Sequence, residues 1–290
     1  MEAYFTCFGV GWEKRIRGRL RVEFPPGRLE GEETSVRMDL NCDMGEGFGA
    51  YQAGADEALM PLVTSANIAC GFHAGDPRVL DRTVALAAQH HVAVGAHPGY
   101  QDLRGFGRRP MQATPEEIEV DVLYQLGAIE AFARAHGVQL VHVKPHGALY
   151  NQAAVDAYLA CAIARAIKRF NPDLVFVGLA GSAPMREAAE TEGIRYAAEA
   201  FADRVYNPDG TLQSRRMAGS VITDPEKCAR QALAIAKDGV AYAHTGAKVP
   251  IQAETLCLHG DNPSAVENAW AVREALSGGG IEVAPIRRRS

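Results

Sequence analysis

The chain has 290 residues, 47% of them hydrophobic and 22% charged, with a formal net charge of −5. That balance excludes a disordered chain and argues against a dominant nucleic-acid-binding role. No apolar run reaches the roughly 18 residues of a membrane-spanning helix, and no signal peptide opens the chain, so the expected compartment is the cytoplasm.

Residues 1–37 differ from the rest of the chain. They carry a basic cluster (Lys14, Arg15, Arg17, Arg19, Arg21), a turn at Pro25-Pro26-Gly27 and acidic residues at Glu30, Glu32 and Glu33, with no helical or strand period. The segment reads as an N-terminal extension, either disordered or a wrongly assigned start with Met38 as the true one. A basic arm for a partner is the competing reading. Residues 38–290 then have the length of one β/α barrel.

From Met38 a regular alternation begins. Short apolar runs at 38–42, 66–69, 92–96, 140–143, 174–178, 195–198 and 255–258 have the length of buried parallel strands, and 281–283 reads as an eighth strand or a tail. Asp76-Pro77, Thr114-Pro115, Asp224-Pro225 and Asn262-Pro263 each place a capping side chain before a proline, the pattern of a helix start, and Thr114 with Glu117 spells a capping box. Ile118, Val122, Leu126 and Ile129 continue at helical spacing. Gly137, Gly193 and Gly239 sit where left-handed helix caps belong. Repeated βα units predict a parallel sheet. Polar clusters after nearly every strand favour a closed barrel, whose strand ends converge on one mouth, over an open sheet.

Those clusters hold the candidate chemistry. They are Asn41 to Gly47, Cys70 to Asp76, Gly95 to Asp102 with Gly105 to Arg109, Lys144 to Tyr150, Glu199 to Arg204, and His259 to Asn262. His73, His97, His146 and His259, and less clearly His142, fall at strand ends; any one of them could be a hydrogen-bonded core residue, but four in succession point to a site. Asp43 and Glu46 offer carboxylates for base chemistry, metal ligation or a substrate ammonium. Lys144, Arg108 and Arg109 suit a substrate carboxylate or phosphate, although the arginine pair equally suits a solvated loop. Asp76 and Asn262 read as helix caps. Six cysteines (Cys7, Cys42, Cys70, Cys161, Cys228, Cys257) form no CxxC pair and read as reduced thiols; Cys42 and Cys70 are either nucleophiles or apolar filler. No P-loop, no dinucleotide-binding GxGxxG at the first helix and no GxSxG nucleophile elbow is present in the sequence.

The segments Asp39 to Glu46, Asn67 to Asp76, Gly95 to Tyr100, Val143 to Tyr150, Glu199 to Arg204, Tyr206 to Leu212 and Leu258 to Asp261 closely resemble the LamB/YcsF family, over residues 38 to about 285. The resemblance implies a distorted seven-stranded β/α barrel related to the glycoside hydrolase and deacetylase type. It implies the catalytic subunit of an ATP-dependent 5-oxoprolinase, opening 5-oxo-L-proline to L-glutamate with ATP as co-substrate, in a complex with PxpB- and PxpC-type subunits. On that reading Asp43, His73 or His97 is the base, His146 the acid for the ring nitrogen, and Asn41, Glu46, Lys144, Arg109, Glu199 and His259 bind substrate. Whether a metal takes part is left open. One rival is a metal-dependent amide hydrolase using Asp43, His73 and His97, against which stands the missing HxxxH spacing. Another is a non-catalytic lactam-binding subunit, against which stands the density of titratable groups at the mouth.

Overall fold

Strand β1 (Arg37–Met44) alternates polar Asp39, Asn41 and Asp43 with apolar Leu40, Cys42 and Met44, and all six are buried. A strand buried on both faces belongs inside a layered α/β fold. The computed structural model describes residues 36–288, so the expectations about the N-terminal extension and Cys7 lie, apart from Val36 and Arg37, outside the described residues.

Six further strands run parallel to β1: β2 (Ser65–Ala69), β3 (Ala93–His97), β4 (Leu140–Val143), β5 (Val175–Leu179), β6 (Arg195–Phe201) and β9 (Thr255–His259). Each pairs with the next, and β9 pairs with both β6 and β1, which closes a seven-stranded barrel. The run at 281–283 supplies only β10 (Glu282–Val283), a short strand beside the start of β1. Between β6 and β9 the chain makes an excursion that includes the antiparallel pair β7 (Val240–Tyr242) and β8 (Lys248–Pro250).

The helices are α1 (Asp56–Leu59), α2 (Pro77–Gln89), α3 (Pro115–Ala135), α4 (Gly147–Ala153), α5 (Ala157–Phe170), α6 (Ala183–Glu192), α7 (Pro225–Leu233) and α8 (Ala265–Gly278). Asp76 and Asp224 cap α2 and α7 by accepting two backbone N–H groups each, and Thr114 and Glu117 form the full capping box of α3. Asp156 caps α5 by accepting two backbone N–H groups, and Ser182 caps α6 by accepting one, from Met185. Asn262 differs from its expected role: α8 starts only at Ala265. The Asn262 side chain is buried and donates to the Ile222 carbonyl while its oxygen accepts from Ser264, so a tertiary contact takes the place of a cap.

The helices bury their apolar faces against the outer faces of the strands. Ile118, Val122, Leu126 and Ile129 of α3 are among the fully buried residues. Truncating one of them to alanine is worth about 2–5 kcal/mol. Among the described residues no helix is long and apolar enough to cross a membrane.

Candidate active site

Barrel closure brings β1, β4, β6 and β9 around one buried ammonium group. Lys144 follows β4, and its Nζ lies 2.9 Å from Asp43 Oδ1, 2.9 Å from Glu199 Oε1, 3.3 Å from Asn41 Oδ1 and 3.0 Å from Cys257 Sγ. Burial opposes the charge on Lys144, but Asp43, Cys257 and Glu199 outweigh it and hold the ammonium pKa well above its ordinary value. Burial likewise opposes the Asp43 charge; His97 and Lys144 outweigh it and hold the carboxyl well below the usual range. Glu199 also accepts from Asn41 (3.1 Å) and from the Tyr150 hydroxyl (2.8 Å). Asn67 donates to Asn41 and Asp43, and His142 completes the set through the Asn67 side-chain oxygen at 2.7 Å. Below this layer, Asp39 accepts from Thr64, Ser65 and Thr255. The barrel interior is therefore a densely paired polar network, with His142 Nδ1 at its edge the buried atom left without a partner.

Beside it stands a second group of a different character. His97 ends β3, His146 immediately precedes α4, and His73 and Glu46 lie in the loops after β2 and β1. The His97 Nδ1–H donates to the Lys144 carbonyl at 2.7 Å, and the His146 Nε2–H donates to the Phe106 carbonyl at 2.8 Å, because a carbonyl can only accept. Their remaining nitrogens, His97 Nε2 and His146 Nδ1, face each other at 3.0 Å. Glu46 Oε1 lies 3.4 Å from His146 Nδ1 and 3.6 Å from His73 Nε2. The rings of His73 and His146 stack with centroids 3.7 Å apart. Burial, reinforced by the neighbouring histidines, lowers the pKa of His73 and of His146 well below the ordinary imidazole value. Burial raises that of Glu46. Gly107, at φ +60°, lets the chain pass over these rings: a Cβ there would lie 2.7 Å from His73 Cβ and 2.8 Å from His146 Cδ2.

The mouth above both groups is a cavity of about 620 Å³ lined by Asp43, His97, His146, Lys144, His259 and a set of arginines. His259 stacks on Phe201, and its Nδ1 lies 2.8 Å from Asp203, which also accepts from the His259 backbone. Arg108 (2.6 Å) and Arg215 (3.1 Å) both reach Asp261; burial would raise that carboxyl, but Arg215 and Arg108 bring it to about 2. Arg109 is an exposed rim residue locked onto the buried Asp102. Arg204 is buried and donates to the Gln213 and Ser220 carbonyls, and burial lowers its pKa to about 10. Cys42 and Cys70 are buried thiols; burial pushes Cys70 up to about 12 and Cys42 well above its usual value, which suits packing rather than thiolate chemistry.

The structure gathers Asn41, Asp43, Lys144 and Glu199 into one group and Glu46, His73, His97 and His146 into another, with His259 at the mouth and Arg109 on the rim. Two corrections concern position. Asp43 and Glu199 are strand residues within β1 and β6, because both strands run further than the apolar runs suggested. Asn67, Arg215 and Cys257 also contact these groups and were not among the candidates, whereas Tyr150 and Asp203 fell within the polar clusters without a role of their own. For Asn67 the signal was present, as a polar residue in an apolar strand; for Arg215, in the excursion after β6, there was none. Among the described residues, two sets of potential metal ligands each bring their ligand atoms within 4.8 Å of one another: Glu46, His73, His97 and His146, and separately Asp43, Cys257 and His259.

Comparison with known proteins bears on the chain as a whole. The LamB/YcsF family model matches residues 38–290. A protein from Symbiobacterium thermophilum, named as the A subunit of 5-oxoprolinase, is 54% identical over 247 residues, covering 85% of this chain and 94% of its own. One of the same name from Pyrococcus abyssi is 51% identical over 252 residues, covering 87% and 98%. The crystal structure of a lactam utilization protein from Thermus thermophilus superposes with a TM-score of 0.82 at 51% identity, covering 86% of this chain and all of that one.

Proposed function

The chain belongs to the LamB/YcsF family, and from that premise we propose that it is the catalytic A subunit of a cytoplasmic 5-oxoprolinase, opening 5-oxo-L-proline to L-glutamate. ATP is the co-substrate, cleaved to ADP and phosphate, and PxpB- and PxpC-type subunits are the partners that help handle it. The observation that carries the reading is Asp43. One of its oxygens is held by Lys144 and Asn67, while the other has only His97 beside it, at 3.4 Å, on the wall of the mouth.

Ring opening needs a drive, because a five-membered lactam recloses at an effective molarity on the order of 10⁵ M. Transfer of the terminal phosphoryl group of ATP to the lactam oxygen supplies it, releasing ADP and leaving an electrophilic carbon. Water then adds to that carbon and gives one proton to Asp43. The C–N bond breaks and the proton passes from Asp43 to the ring nitrogen, leaving the carbon as an acyl phosphate. A second water then attacks that carbon, the C–O bond to phosphate breaks, and phosphate leaves glutamate behind. The lowered pKa keeps Asp43 ionised at neutral pH, the state in which it can accept a proton. His146 is less suited to the acid role, since it stays neutral and its N–H is committed to Phe106. The Lys144 ammonium is buried among acceptors, so the substrate carboxylate and the transferred phosphoryl group fall to Arg108 and Arg215 of the mouth, which each spend one guanidinium nitrogen on Asp261 and keep further donors.

The test is glutamate release from 5-oxoproline and ATP, by this chain alone and with its two partner subunits. Release only with the partners is expected. No release from a verified assembly would overturn the reading.

A further inference from the structure

We propose that Glu46, His73, His97 and His146 form a binding site for one divalent first-row metal ion of the zinc class. The inference stands on ligand geometry alone and does not depend on the ring-opening reading.

Three observations carry it. First, spacing: a tetrahedral ion with bonds of about 2.0–2.1 Å holds its ligand atoms about 3.4 Å apart. The measured separations are 3.0 Å for His97 Nε2 to His146 Nδ1, 3.4 Å for Glu46 Oε1 to His146 Nδ1 and 3.6 Å for Glu46 Oε1 to His73 Nε2. Second, orientation: His97 and His146 each commit one N–H to a backbone carbonyl, which fixes the other nitrogen as a lone pair aimed inward. This is how ligating histidines are commonly held. Two lone pairs facing each other at 3.0 Å repel unless a cation lies between them. Third, satisfaction: Glu46 Oε1 and both ring nitrogens of His73 are buried without a hydrogen-bond partner. An unpaired buried polar atom costs about 1–3 kcal/mol. A single proton shared by His97 and His146 would leave Glu46 and both His73 nitrogens unpaired, whereas one ion takes Glu46 Oε1 and one nitrogen of each histidine, leaving one His73 nitrogen as the remaining unpaired atom.

The alternative set of Asp43, Cys257 and His259 is a poor cation site. The Lys144 ammonium already lies 2.9 Å from Asp43 and 3.0 Å from the Cys257 sulfur, and would repel a second cation. Three imidazoles with one carboxylate suit zinc, cobalt or nickel better than magnesium or calcium, which prefer all-oxygen shells.

The test uses the untagged full chain, stripped with chelator and titrated with Co²⁺ and then Zn²⁺, followed by absorption and elemental analysis. One equivalent per chain is expected, with Co²⁺ ligand-field bands of a nitrogen and oxygen shell and no thiolate charge-transfer band in the near ultraviolet. His73→Ala and Glu46→Gln, checked for native circular dichroism, should weaken binding by about 10-fold or more. Cys257→Ser should leave it unchanged. Binding of well under one equivalent by the wild-type chain would overturn the proposal. So would a thiolate charge-transfer band, or undiminished affinity in folded His73→Ala protein. The wild-type cobalt spectrum decides the matter even where a variant fails to fold.

Discussion

The two polar groups at the barrel mouth are built on opposite principles. Around Lys144, Asp43 and Glu199, each charge meets an opposite charge and hydrogen-bond partners, in a network that spans four strands. Around His73, a few ångströms away, buried nitrogens and a carboxylate oxygen are left without partners. A satisfied network fixes geometry and tolerates little change. An unsatisfied one is held in place by packing and by its outer contacts, and its inward atoms are available to a ligand. The barrel thus separates a rigid charge relay from a cluster arranged to receive something.

Breaking the first group should have the largest effect. Lys144→Met leaves Asp43 and Glu199 buried without their cation and should cost about 3–5 kcal/mol, read by chemical denaturation. Asp203→Asn tests the same principle at the rim. Burial opposes the Asp203 charge, but His259 and the hydrogen bonds from it outweigh burial and lower the pKa, so the ionised form stabilises the fold. That contribution is present above the unfolded-state value of about 3.9 and is lost as pH falls through the lower folded value. The variant should therefore be about 2 kcal/mol less stable at neutral pH, with the difference shrinking below about pH 4. Denaturation midpoints across that range check it, and a difference that grew on acidification would contradict it. The smallest effect belongs to the second group. Glu46→Gln in metal-stripped protein removes a buried carboxylate with an unpaired oxygen, so stability should stay within about 1 kcal/mol of wild type or rise. A loss comparable to that of Lys144→Met would erase the contrast.

Much of the fold was legible because its determinants are local. Capping side chains before prolines at 76, 114 and 224 mark helix starts from a few residues of sequence, and the seven apolar runs correspond to the seven barrel strands. Asn262 misled because its local pattern was the same while a buried contact with Ile222 outweighed it. The candidate residues at strand ends were also visible, since a barrel gathers the ends of its parallel strands. Their partnerships were not. Lys144 meets Glu199, and His259 meets Asp203, only after the sheet sets the registers of β4 on β5, β5 on β6 and β6 on β9. The alternation of Asp39, Asn41 and Asp43 with apolar neighbours was the one signal in the sequence that β1 carries polar residues into the interior. Nothing in the sequence distinguished Glu46, which joins the histidines, from Asp43, which joins the lysine.

The most direct test of the account is the rate of glutamate formation by the assembled complex containing Asp43→Asn in place of the wild-type chain, with assembly verified by size and with folding verified by circular dichroism. The account predicts a loss of about 10²-fold or more in kcat, in line with removal of a group that moves a proton in the transition state. Activity within a few-fold of wild type would contradict it, and would move the ring-opening chemistry away from the charge network on which the proposed mechanism rests.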